Sequence, residues 1–249
     1  MSYDPNSGFK NMSDDKKQRL KDMFFTEEYH KNQEKRKTTQ KRREKLAKFG
    51  IVGFIIVINT LIFLPQWFSA SATQWMYETL GQSGIISGHP GNFTFQIWQP
   101  FTAMWMHGGF IHLAINMFVL WSFGRTMQSI WGDKKFLLLY VLSGLGGGLL
   151  MLMFSSIYAY PVGVGASGAI CGLMGAMVVL QPDSKVLLFF FIPVKIKPMV
   201  IWFGVISLVL AVTNFNFGIG NAAHLGGLIV GYLLTRYWKE KSNLYTTFI

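Results

Sequence analysis

Polar and apolar positions divide the chain near residue 48. Before that point the sequence is polar and charged, and after it long apolar runs alternate with short polar or glycine-rich connections. Such runs predict helices of membrane-spanning type, although some are shorter than the ~20 residues that fully cross a bilayer. We interpret them as six helices, at 49–64, 101–123, 136–158, 166–180, 198–213 and 221–237.

The predicted fold class is therefore an all-α membrane protein. It comprises a basic cytoplasmic tail at 1–48, a six-helix membrane domain at 49–238 and a short cytoplasmic tail at 239–249. The first segment has no apolar region of the kind found in secretory signals, so we do not interpret it as a cleaved signal peptide.

Composition supports a membrane protein over a soluble one. Hydrophobic residues make up 51% of the chain and charged residues 14%, whereas soluble chains carry roughly 25% charged residues. The net charge of +11 comes mainly from the tail, which holds 14 of the 23 Lys and Arg residues. We expect that tail to attract anionic lipid headgroups, and nothing in the pattern supports a nucleic-acid arm. The single cysteine, Cys171, excludes an intramolecular disulfide.

The charges between the helices predict an orientation. With the tail inside, the outer loops at 65–100, 159–165 and 214–220 contain no Lys or Arg, and every inner connection contains some. This asymmetry favours six spans with both termini inside. The first outer loop is rich in aromatic residues, which predicts a position in the membrane interface.

Few ionisable side chains fall inside the predicted spans, and such groups are costly in a membrane, so the histidines found there are candidates for function. His112 and Asn116 are four residues apart and share one face of the second helix. Ser167 and His224 lie near the start of the fourth and sixth helices. Any one histidine near a helix end is more often structural, but these groups should all lie at a similar depth.

Small residues recur every four positions on the fourth and sixth helices, a spacing that lets helix backbones approach closely in lipid. If the two faces meet, Ser167 and His224 come within hydrogen-bond reach; the alternative is that each packs against another helix. The small residues are Gly168, Gly172 and Ala176 on the fourth helix, and Ala223, Gly227 and Gly231 on the sixth.

A serine beside a histidine base is the usual arrangement for a nucleophilic hydroxyl. No Asp or Glu falls inside a predicted span, so we expect a Ser-His dyad without a third carboxylate. The backbone amides that open the fourth helix, from Gly165 to Gly168, and the side chains of His112 and Asn116 are candidate oxyanion donors. These groups together suit acyl transfer.

These motifs resemble the three signatures of the rhomboid intramembrane serine proteases: Gly-Ala-Ser-Gly at 165–168, His107-x4-His112-x3-Asn116, and Ala223-His224-x-x-Gly227. The resemblance covers about residues 49–237. It implies cleavage of transmembrane protein substrates near the outer face of the membrane, without metal or other cofactor. Ser167 would be the nucleophile and His224 the base. His112, Asn116 and the Ser167 amide would form the oxyanion hole, and Gly165 would admit the substrate.

The same resemblance implies that His107 is structural and that the loop at 214–220 is a mobile cap. The chain departs from the family pattern at three positions. Gln99 follows Trp98 where arginine is usual, and Gln128 stands where glutamate is common; both bear on how the outer loop is anchored. Cys171 replaces a tyrosine that in some members packs on the catalytic histidine.

Three other functions compete with proteolysis. A catalytically inactive relative would bind membrane clients without cutting them, but such a protein is expected to lack the serine or the histidine. A transporter or channel commonly carries charges in its spans and repeated halves, which we do not find. A metal site would need His107, His112, His224 and Cys171, and the His-Glu-x-x-His motif is absent.

The expected partners are transmembrane substrates and lipid, with no nucleic acid and no metal. The expected location is a bacterial inner membrane.

Overall fold

The structure is a computed structural model. It describes residues 13–19, 22–23, 27, 30–32, 34–35, 37–38, 50–84, 95–157, 162–188, 191–213 and 220–246. The chain forms two compact units, Met1–Leu46 and Ala47–Ile249, which we take separately.

The described part of the first unit is largely helical. Residues 14–19 form a helix on which two ion pairs join neighbouring turns, Lys17 with Asp14 at 3.7 Å and Arg19 with Asp15 at 3.2 Å. Pairs at this spacing stabilise an exposed helix slightly. Most of the basic clusters that suggest contact with lipid lie outside the described residues, so that role stays a prediction.

The second unit is a helical bundle with one small hairpin. Its α-helices are α1 Gly50–Phe68, α2 Ala70–Thr79, α3 Gln99–Thr102, α4 Phe110–Val119, α5 Arg125–Phe154, α6 Ser167–Leu180, α7 Ile196–Val212 and α8 Asn221–Thr246. A 3-10 turn at Ala103–Trp105 follows α3, and a π-helical turn at Leu120–Gly124 joins α4 to α5. Strands β1 Lys185–Leu188 and β2 Ile192–Lys195 pair antiparallel between α6 and α7.

Each of the six predicted helices overlaps a helix of the structure, but several predicted ends were wrong. The chain remains helical through Pro65, whose carbonyl accepts a hydrogen bond from the Ser69 amide at 3.1 Å. The second predicted helix is interrupted between Trp105 and Phe110. The predicted C-terminal tail is helical as far as Thr246, because α8 continues beyond residue 237.

The predicted loop between the second and third helices was also wrong. The chain stays helical from Phe110 to Phe154 except for a sharp kink at Gly132, where φ is 76° and ψ is 173°. A positive φ of this kind favours glycine. The polar and charged residues that suggested a loop therefore lie on helix surfaces around the kink.

Two helical segments of the unit are long and apolar enough to cross a membrane, by length and composition. Windows of 18 residues within α1 and within Phe110–Phe154 have mean hydropathies of 2.0 and 2.1. Helices α6 and α7 are apolar but have 14 and 17 residues. The six-span count and the orientation remain predictions.

The core of the unit is the close packing of α8 against α6 and α5. A Cβ added at Gly227 would overlap the carbonyl oxygen of Gly168, and one added at Gly231 would overlap that of Gly172. On the other side, a Cβ at Gly147 of α5 would lie 2.6 Å from the Ala223 carbonyl oxygen. The small-residue faces predicted on the fourth and sixth helices therefore do meet.

This packing predicts a contrast between two alanine substitutions. Gly227→Ala should lower the temperature of thermal unfolding in detergent, because its new methyl group overlaps the α6 backbone, and overpacking costs about 1–3 kcal/mol. The control is Gly204→Ala on α7, whose Cβ would meet only Leu228 Cδ1, at 3.7 Å. We expect the control to be as stable as the wild type or more so, since alanine favours helix. Equal unfolding temperatures for the two variants would contradict this account.

Candidate active site

Ser167 and His224 meet at the start of two neighbouring helices. Ser167 is the first residue of α6 and His224 is the fourth of α8. Their side chains are joined by a hydrogen bond between the serine Oγ and the histidine Nε2, 2.9 Å long. Since the chain separates these residues by 57 positions, the contact depends on the α6–α8 packing.

Glycines set the entry of both helices. Gly165 has φ +132° and lies two residues before Ser167; Gly220 has φ +110° and directly precedes α8. Side chains rarely adopt such torsions, so glycine allows the sharp turn into each helix. The His224 amide donates to the Gly220 carbonyl oxygen at 2.7 Å, which ties the histidine to its turn.

The imidazole of His224 packs against an aromatic ring from α7. Its centroid lies 5.8 Å from that of Phe203, with 36° between the ring planes. The sequence analysis placed the neighbour of this histidine at Cys171. That side chain is buried in α6 and does not line the cavity at the dyad. Sequence alone carried no signal that Phe203 takes part.

His112 approaches the dyad from α4, and its hydrogen bond indicates its tautomer. The backbone N–H of Gly108 donates to His112 Nδ1 at 3.2 Å, so Nδ1 carries no proton and the neutral ring bears its proton on Nε2. A Cβ added at Gly165 would lie 3.0 Å from that Nε2 and 3.7 Å from Ser167 Oγ. The N–H of His112 therefore lies next to the segment that leads into α6 and Ser167.

Asn116 lies one turn further along α4 and is buried. Its side-chain amide donates to the His112 carbonyl oxygen at 2.8 Å. It does not line the cavity at the dyad, unlike Ser167, His224, His112, Gly165 and Gly168. The structure thus brings together all of the predicted site residues except Asn116.

The cavity holds about 110 Å³ and is built largely from glycine, alanine and methionine. Among the described residues, no Asp, Glu, Lys or Arg lines it. The amides of Ser167, Gly168 and Ala169 open at the N-terminal end of α6, where they have no acceptor within the helix. The polar surroundings of the dyad are therefore neutral hydrogen-bonding groups.

Gln82 is a cavity residue that the sequence analysis missed. It is buried, and its side-chain amide donates to the Gly148 carbonyl oxygen of α5 at 2.6 Å. Its backbone exchanges two hydrogen bonds with Gly163, at 2.9 and 2.8 Å. Gln82 thereby joins the segment after α2 both to α5 and to the segment before Ser167.

Comparison with known proteins decides the family. A match to the Rhomboid domain covers residues 94–240, more than half of the chain. The chain belongs to the rhomboid family. Because rhomboid proteins are integral to membranes, this protein is a membrane protein.

Three relatives show how far the similarity extends. This rhomboid protein is 37% identical over 138 residues to RHOMBOID-like protein 6, mitochondrial, of Arabidopsis thaliana, a match covering 55% of this chain and 42% of that protein. It is 36% identical over 201 residues to RHOMBOID-like protein 1 of Arabidopsis thaliana, covering 76% and 49%. It is 33% identical over 140 residues to Rhomboid protease GluP of Bacillus subtilis, covering 54% and 25%. The matched part spans less than half of each of these relatives.

The relatives do not support the expected bacterial inner membrane. They come from a plant as well as a bacterium, and a further relative is a mitochondrial rhomboid protein of Saccharomyces cerevisiae, 35% identical over 135 residues.

Gln99 anchors the described ends of the segment between α2 and α3 in this rhomboid protein. It is fully buried, and its Oε1 accepts from the amides of Ser83 and Gln96, each at 3.1 Å. Trp98 Nε1 donates to the Thr79 carbonyl oxygen at 3.0 Å, which adds a second link. A neutral amide thus makes contacts in the position where the family pattern has a charged arginine.

The described contacts of Gln128 include two at the inner part of the helix bundle. Its Nε2 donates to Asp133 Oδ1 at 2.6 Å and it packs against Gly50. Those residues lie at the kink of α5 and at the start of α1. The effect of this position on the anchoring of the first loop stays a prediction.

His107 is buried beside the site, and its ring centroid lies 5.2 Å from that of His112. Its backbone N–H and carbonyl are both bonded to the side-chain amide of Gln66 on α1, at 3.4 and 3.2 Å. Within the described ranges, no three His, Cys, Asp or Glu side chains converge as a metal site would require. The predicted cap at 214–220 lies outside the described residues apart from Gly220.

The bonds of Gln82 predict a specific loss of stability. Gln82→Met keeps the size of the side chain but leaves the buried Gly148 carbonyl oxygen without its donor, at a cost of about 1–3 kcal/mol. We expect a lower unfolding temperature in detergent. The matched control is Gln74→Met on α2, where the amide is exposed and bonds to Glu78, and a change of less than ~0.5 kcal/mol is expected. Equal effects of the two substitutions would contradict the anchoring role.

Proposed function

We propose that this protein is an intramembrane serine endopeptidase that cleaves transmembrane protein substrates near the outer face of the membrane. The observation that carries the proposal is the 2.9 Å hydrogen bond between Ser167 Oγ and His224 Nε2 beside a cavity at the start of α6. Membership of a family that includes a named protease, GluP, agrees with it.

In the proposed reaction, neutral His224 accepts the Ser167 proton at Nε2 while Oγ bonds to the carbonyl carbon of the scissile peptide. The imidazolium then protonates the leaving amine, the C–N bond breaks, and an acyl-serine remains. A water molecule then attacks the ester carbon while His224 takes its proton, the C–Oγ bond breaks, His224 returns the proton to Ser167 Oγ, and the second product leaves as a carboxylic acid. The proton transfers in this sequence involve only the two side chains, the leaving amine and water.

The anionic tetrahedral intermediate needs donors already in place. The amides that open α6 supply them, aided by the positive end of the helix dipole. The Nε2–H of His112 is a second donor, since its Nδ1 accepts from the Gly108 amide. Asn116 has one amide N–H bonded to the His112 carbonyl oxygen and retains a second, so it contributes either directly or by positioning His112.

The proposed topology has six spans with both termini inside. Helix α6 has 14 residues and is therefore ~21 Å long, less than the ~30 Å hydrocarbon core. If its C-terminal end approaches the inner headgroups, Ser167 lies below the outer surface and inside the membrane. That depth suits a peptide bond near the end of a substrate's transmembrane helix.

The dyad makes the first functional prediction. Ser167→Ala and His224→Ala should each abolish cleavage of a single-span reporter substrate in proteoliposomes, because either change removes the activated nucleophile. Matched controls are Ser122→Ala, an exposed serine bonded within its own helix, and His30→Ala in the tail. Both controls should cleave at the wild-type rate. Wild-type activity in either dyad variant, with the protein folded, would refute the mechanism.

The proposed oxyanion donors lead to a second prediction. The same experiment distinguishes a protease from a protein that binds membrane clients without cutting them. Loss of one oxyanion donor costs about 10²–10³ in rate, so His112→Ala should be slow but measurable. If Asn116 acts only by positioning His112, Asn116→Ala should lose less. Labelling of Ser167 by a fluorophosphonate provides an independent readout. A wild type that neither cleaves reporters nor labels above Ser167→Ala would indicate a protein that binds clients without cutting them.

A further inference from the structure

A basic pocket lies at the opposite end of α6 from Ser167. We define it by Lys197 at the start of α7, Tyr232, Arg236 and Lys239 on α8, and Val178, Val179 and Pro182 at the end of α6 and just after it; Glu240 completes its lining. Its volume is about 390 Å³. Val179 lies 12 residues after Ser167 on α6, and Arg236 lies 12 residues after His224 on α8. At 1.5 Å per residue, the pocket is therefore ~18 Å from the dyad along both helices.

The pocket is assembled from three parts of the fold by hydrogen bonds. Lys239 Nζ donates to the Val179 carbonyl oxygen at 3.1 Å, which places its charge over the end of α6. The Lys197 amide donates to the Pro182 carbonyl oxygen at 3.3 Å and brings the start of α7 to the same place. Arg236 Nε bonds to Glu240 Oε1 at 2.8 Å. The basic groups are therefore held together across the fold.

The charge of the pocket favours an anion. Three cationic side chains face it with one carboxylate, so it carries an excess of positive charge. The guanidinium of Arg236 has five N–H groups, more than its contacts with Glu240 and Tyr232 use. A phosphate group presents several acceptor oxygens that suit these donors.

The position of the pocket distinguishes a lipid from a free anion. The apolar side chains of Val178 and Val179 form its wall, beside the cationic groups, and suit the glycerol and upper acyl region of a phospholipid. Because α6 is ~9 Å shorter than the hydrocarbon core, while α8 continues past it, the recess lies near the level where headgroup phosphates meet acyl chains.

We propose that the basic pocket binds the phosphate headgroup of an anionic phospholipid on the inner side of the membrane. Basic pockets between membrane helices bind such headgroups in general. The inference rests on the proposed topology, which turns this end of α6 inward, and not on catalysis. A variant or relative without protease activity would still bind lipid here, so the two proposals fail separately.

The test is native mass spectrometry of the full chain in detergent, titrated with dioctanoyl phosphatidylglycerol and, separately, with dioctanoyl phosphatidylcholine. We expect the anionic lipid alone to be retained. Lys197→Gln combined with Arg236→Gln should weaken its apparent affinity at least about tenfold, because each cation near a lipid surface contributes substantially to binding. The matched control combines Lys134→Gln with Lys185→Gln, two exposed lysines outside the pocket, and should bind as the wild type does.

A variant with a higher affinity for the anionic lipid provides a more specific test. Glu240→Gln removes the one carboxylate of the pocket and should tighten phosphatidylglycerol binding, which loss of structure cannot mimic. Unchanged affinity in the double variant, equal loss in the control pair, or equal retention of phosphatidylcholine would overturn the proposal. Displacement of the lipid by inorganic phosphate at the same concentration would assign the pocket to a free anion instead.

Discussion

The approach of α8 to α6 is the constraint on which the rest of the structure depends. Where Gly227 and Gly231 face the Gly168 and Gly172 carbonyl groups, there is no room for a Cβ atom. Close backbone packing of this kind is the main route to helix association in lipid, where apolar side chains gain little by leaving one apolar medium for another. It also fixes the distance between Ser167 and His224, because each lies within a turn of the start of its helix.

The small residues that allow this close packing also determine which groups surround the dyad. Glycine and alanine at the helix contacts leave a cavity with little side-chain material, so backbone amides and one imidazole provide the polar groups. The described residues between α2 and α3 are held beside this region by neutral amides. Gln82 and Gln99 make the buried hydrogen bonds that hold them, and neither introduces a charge that a low-dielectric environment would penalise.

The length of α6 sets the distance between the dyad and the basic pocket. Because α6 is short, one end exposes amides next to Ser167 and the other ends at the basic pocket. Helix α8 runs beside it and contributes His224 at one level and Arg236 at the other. The neutral region and the cationic region are thus carried by the same two helices, which places the Ser167–His224 pair and the basic pocket at opposite ends of one packed pair.

The sequence by itself determined the helices, the small-residue faces and the identity of the dyad, because apolar runs and four-residue spacing are local properties of the chain. Loop boundaries were predicted less well. Apolarity does not report backbone torsions, so neither the break before Phe110 nor the single-residue kink at Gly132 was visible. Only the tertiary structure decided that Gln82 and Phe203 join the site, since each arrives from a distant segment through packing that no local pattern records.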